Sequence, residues 1–160
     1  MSRTLVLLRH GKSAYPAGAD DHHRPLAPRG ISQAALAGQW MRDEQLAVDA
    51  VLCSTAKRTR ETLKRTGIDA PVQYLDELYG ALSSEILEAI RIYAPESAGT
   101  LLVVGHMPGM ADTALALDPD GDVPEFPTSA YAVLSIGVGW ADLGLAVDPE
   151  VALHGVRVPR

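Results

Sequence analysis

The stretch Thr4-Leu5-Val6-Leu7-Leu8-Arg9-His10-Gly11-Lys12-Ser13 decides the fold. Leu5 to Leu8 form an unbroken apolar run, too short for a helix and bounded by a glycine. Such a run reads as a strand buried on both faces. It then turns abruptly into Arg9-His10-Gly11. In an open parallel sheet, ligands bind in the crevice beyond the carboxyl ends of the strands. The first strand is therefore expected to deliver an arginine and a histidine to that crevice, with Gly11 letting the backbone come close to a ligand.

The same pattern returns late in the chain, where Thr100-Leu101-Leu102-Val103-Val104 stops at Gly105-His106. Between the two, Asp49 to Ser54 reads as a strand and Thr55 to Arg65 as a helix with a strongly charged face. Val72 to Leu75 reads as a short strand and Ser84 to Tyr93 as a helix. Earlier, a polar loop from Tyr15 to Pro25 leads into a helix begun by Pro28, with Ile31, Ala34, Ala35, Gly38 and Met41 on its apolar face. Ala27, just before it, offers no capping oxygen. After His106, a helix from Met107-Pro108-Gly109 to about Leu117, a loop over 118–127, a strand from Tyr131 to Ile136 and an edge strand over 145–158 complete the chain. Strands alternating with helices predict a three-layer α/β/α architecture around a mainly parallel sheet. Residues 1–160 are expected to form a single domain.

Composition narrows the function. The chain is 47% hydrophobic, and no apolar run approaches the roughly 20 residues of a membrane helix. Leu5 to Leu8 is too short for a signal-peptide core. Cys53, the single cysteine, lies in an apolar run and reads as a buried, inert thiol. A cytoplasmic protein with no membrane partner is expected. A net charge of -6 argues against nucleic acid. Yet eleven arginines against three lysines, several at strand ends, suit a small anionic ligand, because the planar guanidinium matches phosphate or carboxylate.

Two buried strands that each end at a histidine, with Arg9 beside one and Arg58 after another strand, make a coherent cationic pocket. Neutral histidine is a nucleophile, and arginine neutralises phosphoryl charge. The strand-to-helix turns at Ser54 to Arg58 and Gly105 to Gly109 offer further N–H donors. Lys12 and Ser13 follow the first histidine and are candidates to line the pocket. Other charged or aromatic residues have blander readings. Lys57, Arg60, Lys64 and Arg65 read as a solvated helix face, Asp20-Asp21-His22-His23 as an exposed loop, His154 as structural, and Trp40 and Trp140 as packing residues. No His-x3-His spacing supports zinc.

Leu8-Arg9-His10-Gly11 resembles the signature of the histidine phosphatase superfamily, whose members include the phosphoglycerate mutases. The resemblance continues through Arg24 to Gly30, Ser54 to Thr62 and Val104 to Gly109, in order and register along nearly the whole chain. The short length and Phe126-Pro127-Thr128-Ser129-Ala130 resemble the small SixA-type phosphohistidine phosphatase branch. The resemblance implies a phosphoglycerate mutase-like fold and a metal-independent, cofactor-free phosphatase. In it His10 takes the phosphoryl group, Arg9, Arg58 and His106 bind its oxygens, and Arg24 assists at the mouth. Glu77, in Leu75 to Gly80, resembles the segment that carries the mutases' proton donor. The chain departs from the family's frequent residues at Thr55, Glu61 and Ala27. The implied partner is a phosphorylated protein or a small phosphorylated metabolite. A mutase would need extra segments to retain its substrate, and a non-catalytic phosphate-binding module is the third alternative.

Overall fold

Apolar strands that bury both faces belong in the middle of a sheet, and the computed structural model, which describes residues 2–160, has them there. The elements run β1 (Arg3–Arg9), α1 (Pro28–Asp43), β2 (Ala50–Ser54), α2 (Lys57–Thr66), β3 (Val72–Leu75), α3 (Ser83–Tyr93), β4 (Thr100–Gly105), α4 (Gly109–Leu117), β5 (Tyr131–Ile136) and β6 (Ala152–Arg157). The sheet order is β3-β2-β4-β1-β5-β6. β1 to β4 run parallel, whereas β5 is antiparallel to β1 and β6 antiparallel to β5.

Side-chain alternation sorts the core into two layers. Leu5, Leu7, Leu52, Leu101 and Val103 face one side, packed with Ile86 and Ile90 of α3 and Met110 and Ala114 of α4. Val6, Leu8, Val51, Cys53, Leu102 and Val104 face the other, packed with Ala37 and Met41 of α1 and Leu63 of α2. The result is the expected three-layer α/β/α arrangement, phosphoglycerate mutase-like in its mainly parallel sheet. Burying a leucine or valine fully stabilises by roughly 1.5–3 kcal/mol, so the central strands are the main source of stability.

Several local expectations shift. On α1, Ala35 is exposed and Ala37 takes its place among Gly30, Ala34, Gly38 and Met41 on the buried face. That face turns toward α2, where a Cβ on Gly38 would lie 2.0 Å from Thr66 O. The edge strand expected over 145–158 is confined to β6, with its earlier residues in turns. Trp140 is fully buried and its indole N–H donates to Ala98 O at 2.8 Å, while Trp40 packs half-buried on the second layer. Cys53 has no exposure, and burial pushes its thiol up to about 12.

Candidate active site

The sheet order puts the ends of β2, β4 and β1 side by side, so residues far apart in the chain converge. His10 follows β1; its N–H donates to Gly105 O at 3.1 Å and its carbonyl accepts from Ser129 N at 3.0 Å. The Gly11 N–H donates to Thr62 Oγ1 of α2 at 2.9 Å, and the Thr62 hydroxyl donates in turn to Arg58 O at 2.6 Å. The backbone that carries His10 is thus tied to β4, to the turn before β5 and to α2. A Cβ on Gly11 would lie 2.9 Å from Gly30 O, which explains the glycine there.

The imidazole of His10 is buried, and its Nδ1 lies 2.7 Å from Gly11 O. A carbonyl only accepts, so Nδ1 carries the proton and Nε2 presents a lone pair. Burial first, then the charges of Arg58, Arg9 and Arg24, bring the pKa of His10 down to about 4. His10 is therefore neutral at ordinary pH. The ring of His106, just past β4, lies 5.3 Å from it between centroids. His106 Nε2 lies 2.8 Å from Ser54 Oγ at the end of β2, and burial together with His10 and Arg58 lowers its pKa to about 3.

Four buried polar atoms here have no hydrogen-bond partner: Arg9 Nε, Arg58 Nε, His106 Nδ1 and Ser129 Oγ. Elsewhere among the described residues only Gln33 Oε1 and Thr113 Oγ1 share that condition. Unpaired buried polar groups are costly. Their concentration around a neutral histidine marks a place built for an anion with several oxygens. Ser129 contributes from a strained backbone, with φ at 62° although it is not glycine.

Arg58, in the first turn of α2, is 8% exposed at its side chain. Its Nη1 donates to Asp21 O at 2.7 Å, and its Nη2 meets Asp21 Oδ2 at 3.1 Å. Arg9 Nη1 donates to Phe126 O at 3.0 Å. Arg24 lies on the far side of Asp21 from Arg58. It pairs with Asp21 at 2.8 Å, lies 3.8 Å over the Tyr15 ring and also bonds Ser13. Lys12 is exposed, and Ser13 is buried under Arg24.

Glu77 is turned toward α3. It sits in the 3-10 turn Asp76–Leu78, and its carboxylate accepts from Tyr93 OH of α3 at 2.6 Å, beside Glu85 and Glu88. A turn with about three residues per repeat sends neighbouring side chains in different directions. Asp76 accepts from Thr55 Oγ1 at 2.6 Å and Tyr79 turns toward His106, with ring centroids 5.5 Å apart, while Glu77 points to α3.

The acid that does meet the arginines is Asp21, which sequence reasoning had left in an exposed loop. Hydrogen bonds from the Tyr79 hydroxyl, Arg58 and Arg24 hold its carboxyl well below the usual range. His22 joins the same wall: its Nε2–H donates to Thr55 Oγ1 at 3.0 Å and its ring lies 4.8 Å from Tyr79. His23 and Asp20, paired with each other at 2.6 Å, touch neither arginine and lie largely in solvent. Among the described residues, no three His, Cys, Asp or Glu side chains form a cluster able to hold a metal.

The chain belongs to the histidine phosphatase superfamily, whose branch 1 model matches residues 5–81. An uncharacterized protein of Mycobacterium tuberculosis strain H37Rv is 50% identical over 163 residues, covering 96% of this chain and all of that relative. A solved structure from Nakamurella multipartitia, whose assignment to phosphohistidine phosphatase SixA is provisional, is 42% identical with a TM-score of 0.89, covering 99% of this chain and 97% of that one. Phosphohistidine phosphatase SixA of Escherichia coli K12 is 27% identical over 137 residues, covering 82% of this chain and 84% of that protein. Within the superfamily the chain falls in the SixA-like branch, and it is a phosphatase.

Proposed function

We propose that this phosphatase acts on phosphohistidine, through a phosphohistidine intermediate of its own on His10. The Nε2 lone pair attacks phosphorus, and the P–N bond opposite breaks; the leaving imidazole, its other ring nitrogen already protonated by solvent, departs neutral. Water then attacks the phosphoryl group on His10, releasing phosphate and neutral His10. Arg9, Arg58 and His106 stabilise the equatorial oxygens, the main protein contribution to phosphoryl transfer. Arg24 works one step out, holding the mouth through Asp21 and Tyr15.

The observation that carries the substrate class is the disposition of carboxyl groups. Glu77 faces α3, and Asp21 is held ionised by its donors. Neither is suited to donate a proton to a departing alkoxide, which is a strong base and gains about 100- to 10,000-fold from such help. An imidazole leaving group is protonated by solvent beforehand and needs no such acid.

The test is a side-by-side measurement of kcat/KM on a phosphohistidine peptide and a panel of alkyl phosphates. A preference for the peptide by at least about 100-fold is expected, since the missing acid assistance is worth that much. A preference for one alkyl phosphate would make the protein a phosphatase of a small metabolite. His10→Ala should lose turnover and the acid-labile phosphoryl label that wild type acquires, and activity should persist in EDTA. A His10→Ala protein that still turns over and labels would refute the mechanism.

A further inference from the structure

The strongest feature outside the site is electrostatic. Residues 57–65 hold five of the chain's fourteen cations but only one of its twenty acids, so the remainder of the chain stands at -10. Arg58 is turned inward to the site. The other four cations, Lys57, Arg60, Lys64 and Arg65, line a groove of about 870 Å³ along α2. Its apolar lining comes from Leu63, Ile68, Ala70, Val72 and Tyr74, the last of these on β3 at the open edge of the sheet and half-exposed. The side chains of Lys57, Lys64 and Arg65 make no ion pair among the described residues. Of the two acids in the lining, Glu61 accepts from Leu26 N at 2.9 Å and is turned toward the loop behind α2.

One end of the groove reaches Thr55. Thr55 lines it and is also the hydroxyl that links His22 to Asp76 at the mouth. A solvated helix face needs no such asymmetry; charges of both signs would serve it better. A chain that is strongly acidic elsewhere repels an acidic partner except where this stripe meets it.

We propose that this groove docks an acidic, partly apolar segment of the phosphorylated protein substrate, aligning its phosphohistidine with His10. The proposal rests on the phosphohistidine reading above and deepens it from a side chain to a protein. The apolar floor supplies contact area and the four cations supply orientation and speed of encounter. Along α2 the rise is about 1.5 Å per residue, so the stripe extends roughly 10 Å beyond Arg58. That suits about three extended residues or about two turns of helix. Nucleic acid is the other polyanion a basic stripe invites, but the -10 of the remaining chain opposes a long phosphate backbone.

The test uses two phosphohistidine peptides of one length, identical next to the histidine, one flanked by Asp and Glu and the other by Gln and Ser. Wild type and Lys64→Glu/Arg65→Glu are compared on both peptides and on p-nitrophenyl phosphate. Helix rise puts these two residues roughly 9–10 Å from Arg58 along α2, beyond the Debye length of about 8 Å at physiological ionic strength, so p-nitrophenyl phosphate turnover measured at that ionic strength should be unchanged. It also reports that the variant is folded. For wild type, the acidic peptide should exceed the neutral one by about tenfold in kcat/KM at low salt, a modest case of electrostatic steering. The variant should lose that preference, and Lys64→Arg should keep it. Equal rates on both peptides in wild type, or a preference that survives the charge reversal, would overturn the docking groove while leaving the phosphohistidine reading intact. Failure of wild type on both peptides, with turnover of an alkyl phosphate, would instead sink that reading. Inhibition of the peptide reaction by a single-stranded RNA homopolymer in wild type but not in the variant would reassign the stripe to nucleic acid.

Discussion

Asp21→Asn is the most revealing single change. Asp21 places a carboxylate on Arg58 and Arg24, the charges that an incoming phosphoryl group would seek. Substrate must therefore displace it, at least from Arg58. An exposed ion pair is worth about 0.2–1 kcal/mol, and a hydrogen bond to a charged group about 1.5–3 kcal/mol. Here the carboxylate is 52% exposed and the guanidinium 8%. The contact thus falls between those ranges, at about 1.4 kcal/mol, which is a factor of ten in affinity. Asp21→Asn should lower the inhibition constants of phosphate and vanadate about tenfold against p-nitrophenyl phosphate. Asp20→Asn makes the same change in net charge one residue away, on a side chain bonded to His23 and not to Arg58, and should have little effect. Equal effects of the two variants would mean that only net charge matters. Weaker inhibition of Asp21→Asn would mean that Asp21 holds Arg58 in place and does not compete for it.

Three further outcomes follow from other parts of the structure. Glu77→Gln should leave rates unchanged on phosphohistidine and alkyl phosphates alike; a loss of about 100-fold on alkyl phosphates would restore it as a general acid. Gly38→Ala should lower the melting temperature by roughly 5–10 °C, because the new methyl group meets the Thr66 backbone and overpacking costs about 1–3 kcal/mol; an unchanged melting temperature would contradict the tight α1–α2 contact. His10 and His106 titrate near 4 and 3 in the folded protein, below the ordinary value of about 6.5. The unfolded chain takes up those protons first, so the stabilisation is present above about pH 6.5 and is lost as pH falls toward 4 and 3. The urea midpoint should fall between pH 6.5 and 4.5, less steeply in His106→Asn, and a flat wild-type profile would refute it.

The fold was legible where burial is extreme. Leu5 to Leu8 and Leu101 to Val104 are apolar without interruption because both faces of the sheet are covered there. At the edges the pattern weakens: β3 exposes Gln73 and Tyr74, and β6 is half-buried apart from the exposed His154, so no apolar run marks where it starts. On α1 the small residues hid the phase, since Ala35 and Ala37 carry equal hydrophobicity but only one faces α2. The strand-end histidines and Arg58 were legible as chemistry. Ser54 as the partner of His106 depends on β2 lying beside β4, 52 residues away in sequence, and no local signal announces it. Asp21 is similar, because its meeting with Arg58 is made by a loop that folds back across 37 residues. The direction of Glu77 toward α3 was not legible either, because a shared segment fixes the turn but not the direction of each side chain on it.

The buried thiol of Cys53 has a consequence for where this chemistry can operate. Phosphatases that attack through a cysteine need a thiolate, and peroxide converts that thiolate to sulfenic acid and halts them. In the mechanism proposed above the nucleophile is an imidazole, and the single cysteine lies in the sheet interior with its thiol held protonated. Under oxidative stress, when thiolate enzymes fall silent, dephosphorylation through this protein would continue.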